Sequence, residues 1–265
     1  NGRIVIGEGE RDEAPMLYIG EKVGSGNGDE VDIALDPLEG TTITSKGMPN
    51  SLAVIAAAKK GCLLHSPDTY MNKIAIGNGY SNDVIDLDAS VKDNIKSLAD
   101  AKKVKPSDIS ACVLERDRHS EIIESLREIG SKVILIPDGD VAGVMMTSQE
   151  EIDVDIYFGT GGAPEGVLAA AALQCIGGQM QTRLVIRNDD EKKRAEKAGI
   201  KDLEKKYYID DLASGDIIFV ATGVTEGTMV KGVKKYSNSF LTHSIVLRSD
   251  FNTTQFIQTY HPQSI

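Results

Sequence analysis

The chain reads Asp36-Pro37-Leu38-Glu39-Gly40-Thr41-Thr42 directly after the apolar run Val31-Asp32-Ile33-Ala34-Leu35. The apolar run predicts a β-strand, and the proline and glycine that follow predict a turn at its end. Two carboxylates and two hydroxyls would then lie together at one edge of a sheet. Such hard oxygen ligands suit Mg²⁺ or Mn²⁺, beside which a phosphate group can bind. An ordinary acidic surface turn is the alternative that this stretch alone leaves open.

The composition is that of an ordinary soluble globular protein. Hydrophobic residues make up 41% of the 265 residues, and no apolar run approaches the roughly 20 residues of a membrane span. The formal net charge of −11 argues against a broad nucleic-acid-binding surface. An anionic substrate would therefore need metal ions or a local basic cluster.

The cysteines and histidines argue against a zinc site. Cys62, Cys112 and Cys175 are far apart in apolar surroundings, and the four histidines do not cluster. Buried free thiols are typical of a reducing compartment, so we expect a cytoplasmic protein. Any metal should be oxygen-ligated.

The order of predicted elements changes along the chain. The first third is rich in strands, including a hairpin over residues 51–64, and from about Ser90 strands alternate with helices. We predict an α/β protein of two lobes, residues 1–88, an α+β lobe with the metal motif, and residues 89–265, an α/β lobe. The charged residues 189–206 are predicted to be a solvent-exposed helix pair.

Chemically useful side chains recur where predicted strands end, which is where open α/β sheets bind ligands. Acids follow the first two strands, arginines follow a third, and a glycine-rich turn precedes Glu165. Each residue taken singly could be a surface residue, and Asp140 could be only a helix cap. Together they predict a metal-assisted phosphate site.

At this point the sequence resembles a known family, the class II fructose-1,6-bisphosphatases of bacteria. Residues 36–42 resemble the metal-binding signature of the lithium-sensitive, metal-dependent sugar and inositol phosphatases. Glu39 and the upstream Ile6-Gly7-Glu8-Gly9-Glu10 resemble the class II branch. The resemblance covers the chain in order, through the motifs Ala14-Pro15-Met16-Leu17-Tyr18-Ile19-Gly20-Glu21, Pro67-Asp68-Thr69-Tyr70-Met71, Ile136-Pro137-Asp138-Gly139-Asp140-Val141-Ala142 and Gly161-Gly162-Ala163-Pro164-Glu165-Gly166.

The resemblance implies a layered α/β/α/β/α sandwich and an enzyme of gluconeogenesis. The expected reaction is Mn²⁺- or Mg²⁺-dependent removal of the 1-phosphate of fructose 1,6-bisphosphate by a homo-oligomer, a dimer or a tetramer. A further N-terminal segment with another acidic ligand is expected to precede Asn1. The implied metal ligands are Glu8, Asp36, Glu39 and Glu165.

The resemblance also implies roles at the substrate. Thr41 would place the attacking water with Asp12 behind it as the acid/base residue, and Thr41 as a direct nucleophile is the less favoured version. The implied substrate contacts are Glu39, Gly40, Thr41, Tyr70, Arg116, Asp117, Arg118, Asp138, Gly139, Asp140 and Gly162. The alternatives left open are a bifunctional enzyme that also takes sedoheptulose 1,7-bisphosphate, another sugar or inositol phosphatase, and a catalytically impaired sugar-phosphate-binding protein.

Overall fold

A computed structural model describes residues 1–9, 14–149 and 151–263. The prediction for Asp12 lies outside these residues. The strands in chain order are β1 (Gly2–Ile6), β2 (Lys22–Val23), β3 (Val31–Glu39), β4 (Leu52–Lys59), β5 (Tyr70–Ile76), β6 (Ser110–Leu114), β7 (Lys132–Ile136), β8 (Ile156–Gly162), β9 (Gln179–Val185), β10 (Tyr207–Tyr208), β11 (Ile217–Gly223), β12 (Lys234–Lys235), β13 (Ser239–Arg248) and β14 (Thr253–Pro262). The helices are α1 (Thr41–Ser45), α2 (Val91–Lys102), α3 (Ser120–Ile129), α4 (Asp140–Met146), α5 (Ala163–Ile176), α6 (Asp189–Lys197) and α7 (Ile209–Leu212). Pro106–Asp108 and Asp117–His119 form short 3₁₀ turns.

The strands form two mixed sheets. The first has the order β12-β13-β11-β4-β3-β1-β2, with β14 paired to β13, and the second has the order β10-β9-β5-β8-β6-β7. In the first sheet β1 and β3 are parallel, which brings Glu8 and Asp36 to the same edge of the sheet. This edge is where the site is built.

Helix α5 lies between the two sheets. It contacts β3, β4, β11 and β13 on one side and β5, β8 and β9 on the other. Its alanine-rich sequence is buried almost throughout, as expected of a helix with apolar residues on all sides. Pro164 in its first turn occupies a position where the missing N–H costs nothing.

Helices α2 and α3 cover the opposite face of the second sheet, where Ile95, Leu98 and Leu126 pack on Val113 and Phe158. The described residues therefore stack as first sheet, helix, second sheet, helix layer. This confirms the predicted layered α/β class and supplies the β/α/β/α part of the α/β/α/β/α sandwich.

Some local predictions were wrong. The residues after β4 do not close a hairpin, because Leu63 pairs with Ala213 and the Leu64 N–H donates to the Leu212 carbonyl at 2.8 Å. The charged segment forms only α6, without a second helix in residues 198–206. The turn predicted after Leu35 is absent, because β3 continues to Glu39. Its pairing with β4 shifts register between Asp36 and Glu39, and Pro37, which has no N–H to donate, lies within this irregular part.

The division of the chain at residues 88 and 89 stays a prediction. The first sheet takes β1 to β4 together with β11 to β14, and the second takes β5 to β10. The first sheet thus combines strands from two separate regions of the sequence, and the second sheet combines β5, which precedes residue 88, with five strands that follow it. Of the helices described, none is long and apolar enough to cross a membrane.

Candidate active site

A cavity of about 1100 Å³ opens where the ends of the two sheets meet. Its walls contain nearly all of the site residues predicted from the sequence: Glu8, Asp36, Glu39, Gly40, Thr41, Tyr70, Arg116, Arg118, Asp138, Gly139, Asp140, Gly162 and Glu165. Asp117 does not line it and belongs to a neighbouring surface depression with Ser120 and Arg127. The prediction for Asp12 falls outside the described residues.

Glu39 is the most deeply buried carboxylate of the cavity. It ends β3, directly before Gly40, whose φ of 86° is a left-handed conformation that glycine adopts without strain. Its carbonyl accepts the Ser51 hydroxyl at 2.9 Å, and its Oε1 accepts the Val141 N–H at 3.1 Å. Its Oε2 is buried without a hydrogen-bond partner. Burial, and then the charge of Asp140, raise the pKa of this carboxyl well above its usual range.

Asp36 and Glu8 lie on the adjacent strand ends. Asp36 is half-buried, and its Oδ1 accepts the Leu38 N–H at 2.9 Å within the irregular part of β3. Burial raises its pKa, and the charges of Glu8 and Asp140 act in the same direction. These carboxylates therefore repel one another, and a cation would relieve that repulsion.

Glu165 reaches the cavity from the first turn of α5, directly after β8. Burial raises the pKa of its carboxyl to about 7, with Asp140 adding to the shift and Lys73 opposing it. The predicted glycine-rich turn is in fact the end of β8, where Gly161 leaves room for Asp140. A Cβ at Gly161 would lie 2.3 Å from Asp140 Oδ2.

Lys73 is a site residue that sequence reasoning missed. Its side chain is fully buried, forms an ion pair with Asp140 and donates to the Gly162 carbonyl at 2.7 Å. Asp140 is the first residue of α4 with Gly139 as the cap, so the alternative that Asp140 is only a cap is wrong. A lysine directly before the apolar run Ile74-Ala75-Ile76 of a predicted strand was the available signal, since unpaired charges are rarely buried.

The residues present fit a divalent cation by their chemistry. All are hard oxygen donors, Asp36 and Glu39 each accept one backbone N–H, and Glu39 Oε2 is buried without a hydrogen-bond partner. No set of three or more His, Cys, Asp or Glu groups within residues 1–9, 14–149 and 151–263 is already arranged around a common point.

Thr41 begins α1 at the mouth of the cavity and is exposed. The next residue, Thr42, donates its N–H to Asp138 Oδ2 at 3.2 Å. The Thr44 hydroxyl donates to the Gly40 carbonyl at 3.0 Å. These contacts tie the turn that carries Thr41 to the loop that carries Asp138.

Tyr70, Arg116 and Arg118 form another wall. The Arg118 guanidinium lies 4.9 Å from the centre of the Tyr70 ring, and the guanidinium of Arg187, which does not line the cavity, lies 4.2 Å from it. Arg118 donates from Nε and Nη2 to the Thr160 carbonyl, at 2.9 and 2.7 Å. Arg116 donates to the Pro137 carbonyl and lies 3.5 Å from Asp138.

His119 supports this wall from behind. It is buried, with Nδ1 2.7 Å from the Leu114 carbonyl, and its Nε2 accepts the Thr160 N–H at 2.8 Å. The ring is therefore neutral with its proton on Nδ1. Burial lowers its pKa, and Arg118 and Arg116 add to this effect against the hydrogen bond to Leu114.

The sequence analysis also did not predict several basic residues that line the same cavity. Arg3, His65, Arg194 and Lys197 line it together with Asp68. Arg194 and Lys197 belong to the charged segment that was expected to be a solvated face. Their position depends on how α6 packs, and the composition of the segment carries no signal of that packing.

A two-sheet α/β fold that gathers carboxylates, arginines and a threonine at its strand ends defines a class, the metal-dependent phosphatases of small phosphorylated molecules. The model of a family described as bacterial fructose-1,6-bisphosphatase, glpX-encoded, matches residues 1–261. The chain belongs to this family.

Curated relatives agree. The chain is 41% identical over 274 residues to fructose-1,6-bisphosphatase 1 class 2 of Escherichia coli strain K12, an alignment that covers 98% of this chain and 81% of that protein. The same values hold for the class 2 fructose-1,6-bisphosphatases of Escherichia coli O6:H1 and Shigella flexneri.

Proposed function

We propose that this chain hydrolyses the 1-phosphate of fructose 1,6-bisphosphate, giving fructose 6-phosphate and phosphate, with Mn²⁺ or Mg²⁺ as the cofactor. One observation carries the proposal: a single cavity collects the predicted site residues, apart from Asp117 and the undescribed Asp12, in a chain of the bisphosphatase family. Opposite charges around this cavity suit a metal-bound phosphate at one end and a phosphorylated sugar along the wall.

Asp36, Glu39, Glu165 and Glu8 would hold the metal. The buried, unpartnered Glu39 Oε2 is the strongest support for this assignment, because an orphaned carboxylate oxygen costs free energy unless something binds it. The chemistry that a divalent cation supplies in such a site is neutralisation of phosphoryl oxygens and acidification of water.

Thr41 would orient the attacking water with its hydroxyl, and Asp12 would accept the proton. A threonine hydroxyl does not ionise near neutral pH, so it needs a carboxylate to take the proton onward. Thr41 is exposed, lines the cavity and follows Gly40 at the start of α1, which supports this assignment.

The sugar would lie along Tyr70, Arg118 and the loop Asp138-Gly139-Asp140, with Gly162 allowing close approach. Arg116 would contribute charge, with its Nη1 donating to the Glu115 and Pro137 carbonyls. A substrate contact by Asp117 stays a prediction.

The protein would work as a cytoplasmic homo-oligomer, a dimer or a tetramer. Support for the compartment comes from three free cysteines. Support for assembly comes from β14, whose residues are almost all exposed and include no charged side chain.

The test is phosphate release from a panel of sugar and inositol phosphates, with Mn²⁺ and Mg²⁺ titrated separately. We expect turnover of fructose 1,6-bisphosphate that falls at least about 100-fold in Asp36→Asn and Glu165→Gln, because each removes a metal ligand. Asp153→Asn, an exposed acid paired with Lys132, is the matched control and should keep full activity. Sugar-phosphate binding without turnover under every metal condition would instead favour a catalytically impaired binding protein.

A further inference from the structure

We propose that Arg187 is a positioning residue of the substrate wall. It fixes the ring of Tyr70 opposite Arg118, and the buried carboxylate of Glu191 holds it in place. The inference rests on the proposed function in taking Tyr70 to contact the sugar bisphosphate. Arg187 does not line the cavity itself, so it would act on the substrate only through Tyr70.

Two guanidiniums from different elements lie over the ring of Tyr70. Tyr70 begins β5, which pairs with β8 on one side and with β9 on the other. Arg118 donates to the Thr160 carbonyl of β8, whereas Arg187 follows the end of β9, where Val185 is opposite Tyr70. The guanidinium carbons lie 4.9 and 4.2 Å from the ring centre, within the range of cation–π attraction. With cations over the ring, its edge and its hydroxyl are the parts left to meet a substrate.

Glu191 fixes both the backbone and the side chain of Arg187. Its side chain is only 1% exposed, although it belongs to the first turn of the highly charged α6. Its Oε2 accepts the Arg187 backbone N–H at 2.7 Å, and its Oε1 accepts the Arg187 Nε–H at 2.8 Å. A buried carboxylate has to be paired and hydrogen-bonded, and Arg187 meets both needs. The guanidinium over Tyr70 is therefore held from behind.

Helix α6 is also tied to the chain just before Tyr70. The Arg194 Nε–H donates to the Asp68 carbonyl at 3.1 Å, and the Arg194 guanidinium lies 4.0 Å from Glu191. Glu191 thus lies between a contact to the loop that leads into Tyr70 and the contact to its ring. The placement of this tyrosine depends on a helix whose composition predicts only a solvated face.

Two substitutions separate positioning from simple attraction of an anionic substrate. Arg187→Gln removes the cation, whereas Arg187→Lys keeps a cation beside Glu191 but lacks the planar group that covers the ring. We expect both to raise the KM for fructose 1,6-bisphosphate about 5-fold or more and to keep kcat within about 2-fold, because the contact is made in the ground state and the transition state alike.

Lys193→Gln is the matched control. It removes the same charge from an exposed position of α6 outside the cavity, and it should leave KM and kcat unchanged. A wild-type KM in Arg187→Lys would show that only the charge matters and would overturn the positioning role. A wild-type KM in Arg187→Gln would overturn it as well.

A double-mutant cycle tests whether Arg187 acts through Tyr70. Tyr70→Leu removes the ring and should raise KM by itself. In that background Arg187→Gln should have no further effect, because the group that it positions is gone. Two increases in KM that multiply would mean that the residues act independently, against the proposal.

Nuclear magnetic resonance of the full chain with isotope-labelled tyrosine needs no turnover. The chain has eight tyrosines, and the signal of Tyr70 is the one absent from Tyr70→Phe. We expect Arg187→Gln and Arg187→Lys to shift this signal, and Lys193→Gln to leave it in place. An unshifted Tyr70 signal in Arg187→Gln would overturn the proposal. A shifted signal in a chain without bisphosphatase activity would refute the proposed function and leave the contact of Arg187 with Tyr70 standing.

Discussion

At the scale of single residues, the buried side chain of Lys73 provides a positive charge among the acidic residues of the site. Lys73 is fully buried and balances Asp140, whose charge raises the pKa of both Glu39 and Glu165. A buried pair of this kind contributes little net free energy while intact but is costly to break, because the remaining charge stays buried.

We therefore expect Lys73→Met to lower the free energy of unfolding by about 3–5 kcal/mol, measured by urea denaturation of the metal-free protein. Lys132→Met, which breaks the exposed pair with Asp153, should cost less than about 1 kcal/mol and is the control. Adding Asp140→Asn to Lys73→Met should restore part of the loss. A double variant no more stable than Lys73→Met would contradict the explanation.

Thr41 tests the hydroxyl role. Thr41→Ser keeps the hydroxyl and should keep most of kcat, whereas Thr41→Ala should lower kcat about 100-fold or more, the usual contribution of a group that handles a proton. Both should bind Mn²⁺ like the wild type, as judged by the metal-dependent rise in Tm. Full activity in Thr41→Ala would rule out the role.

His119 gives a pH dependence with a defined sign. Its folded-state pKa is lowered below 6.5, so the native state resists protonation of the ring that accepts the Thr160 N–H. The stability that His119 contributes is thus present above pH 6.5 and lost as the pH falls below it.

The check is urea denaturation of wild type and His119→Gln between about pH 7.5 and about pH 5.5. His119→Gln should be the less stable protein at the higher pH, and the difference should shrink as the pH falls. A constant difference would show that the ring does not resist protonation.

At the scale of elements, α5 approaches β5 so closely that one glycine decides the spacing. A Cβ at Gly166 would lie 2.6 Å from Met71 Sδ and 3.1 Å from Lys73 Cε, and both side chains are buried. Alanine ordinarily stabilises a helix interior by about 1 kcal/mol relative to glycine. Here the clash should outweigh that gain.

We expect Gly166→Ala to destabilise the protein by about 1–3 kcal/mol in urea denaturation, the usual cost of overpacking. Met71→Ala makes room, so the double variant should be more stable than the sum of the two single effects predicts. A stabilised Gly166→Ala would mean that α5 can move away from β5.

The sequence predicted the site residues that have a local signal within one element and missed those that depend on contacts between elements. Asp36, Glu39 and Glu165 were identifiable because their signals are local, an apolar strand followed by acids or glycines. Lys73 was missed because its partner Asp140 is distant in sequence. Arg194 and Lys197 were missed because a charged helix looks the same whether it faces water or a cavity. The hairpin after β4 was wrong because the long-range pairing of Leu63 with Ala213 took precedence over a local turn.

At the scale of the whole molecule, β14 forms an exposed border of the first sheet. Phe256, Ile257 and Tyr260 are exposed on it, and within the described chain β14 pairs only with β13. Such an uncharged edge is suited to pairing with a second copy. We expect Ile257→Lys to shift sedimentation velocity toward the monomer, while Ser107→Lys, on an exposed turn elsewhere, should not. An unchanged distribution in Ile257→Lys would place the interface elsewhere.

The arrangement of the two sheets also has a consequence for synthesis of the chain. Strands β4 and β11 are neighbours in the first sheet, yet every strand of the second sheet lies between them in the sequence. On the ribosome, β5 to β10 emerge and can pair while the first sheet still waits for its later strands, and long-range pairing of this kind is slow. The nascent chain would thus leave the β11-facing edge of β4 without its partner strand until β5 to β10 have been made. Chaperones that capture apolar strands should therefore bind the nascent chain between the emergence of β4 and that of β11.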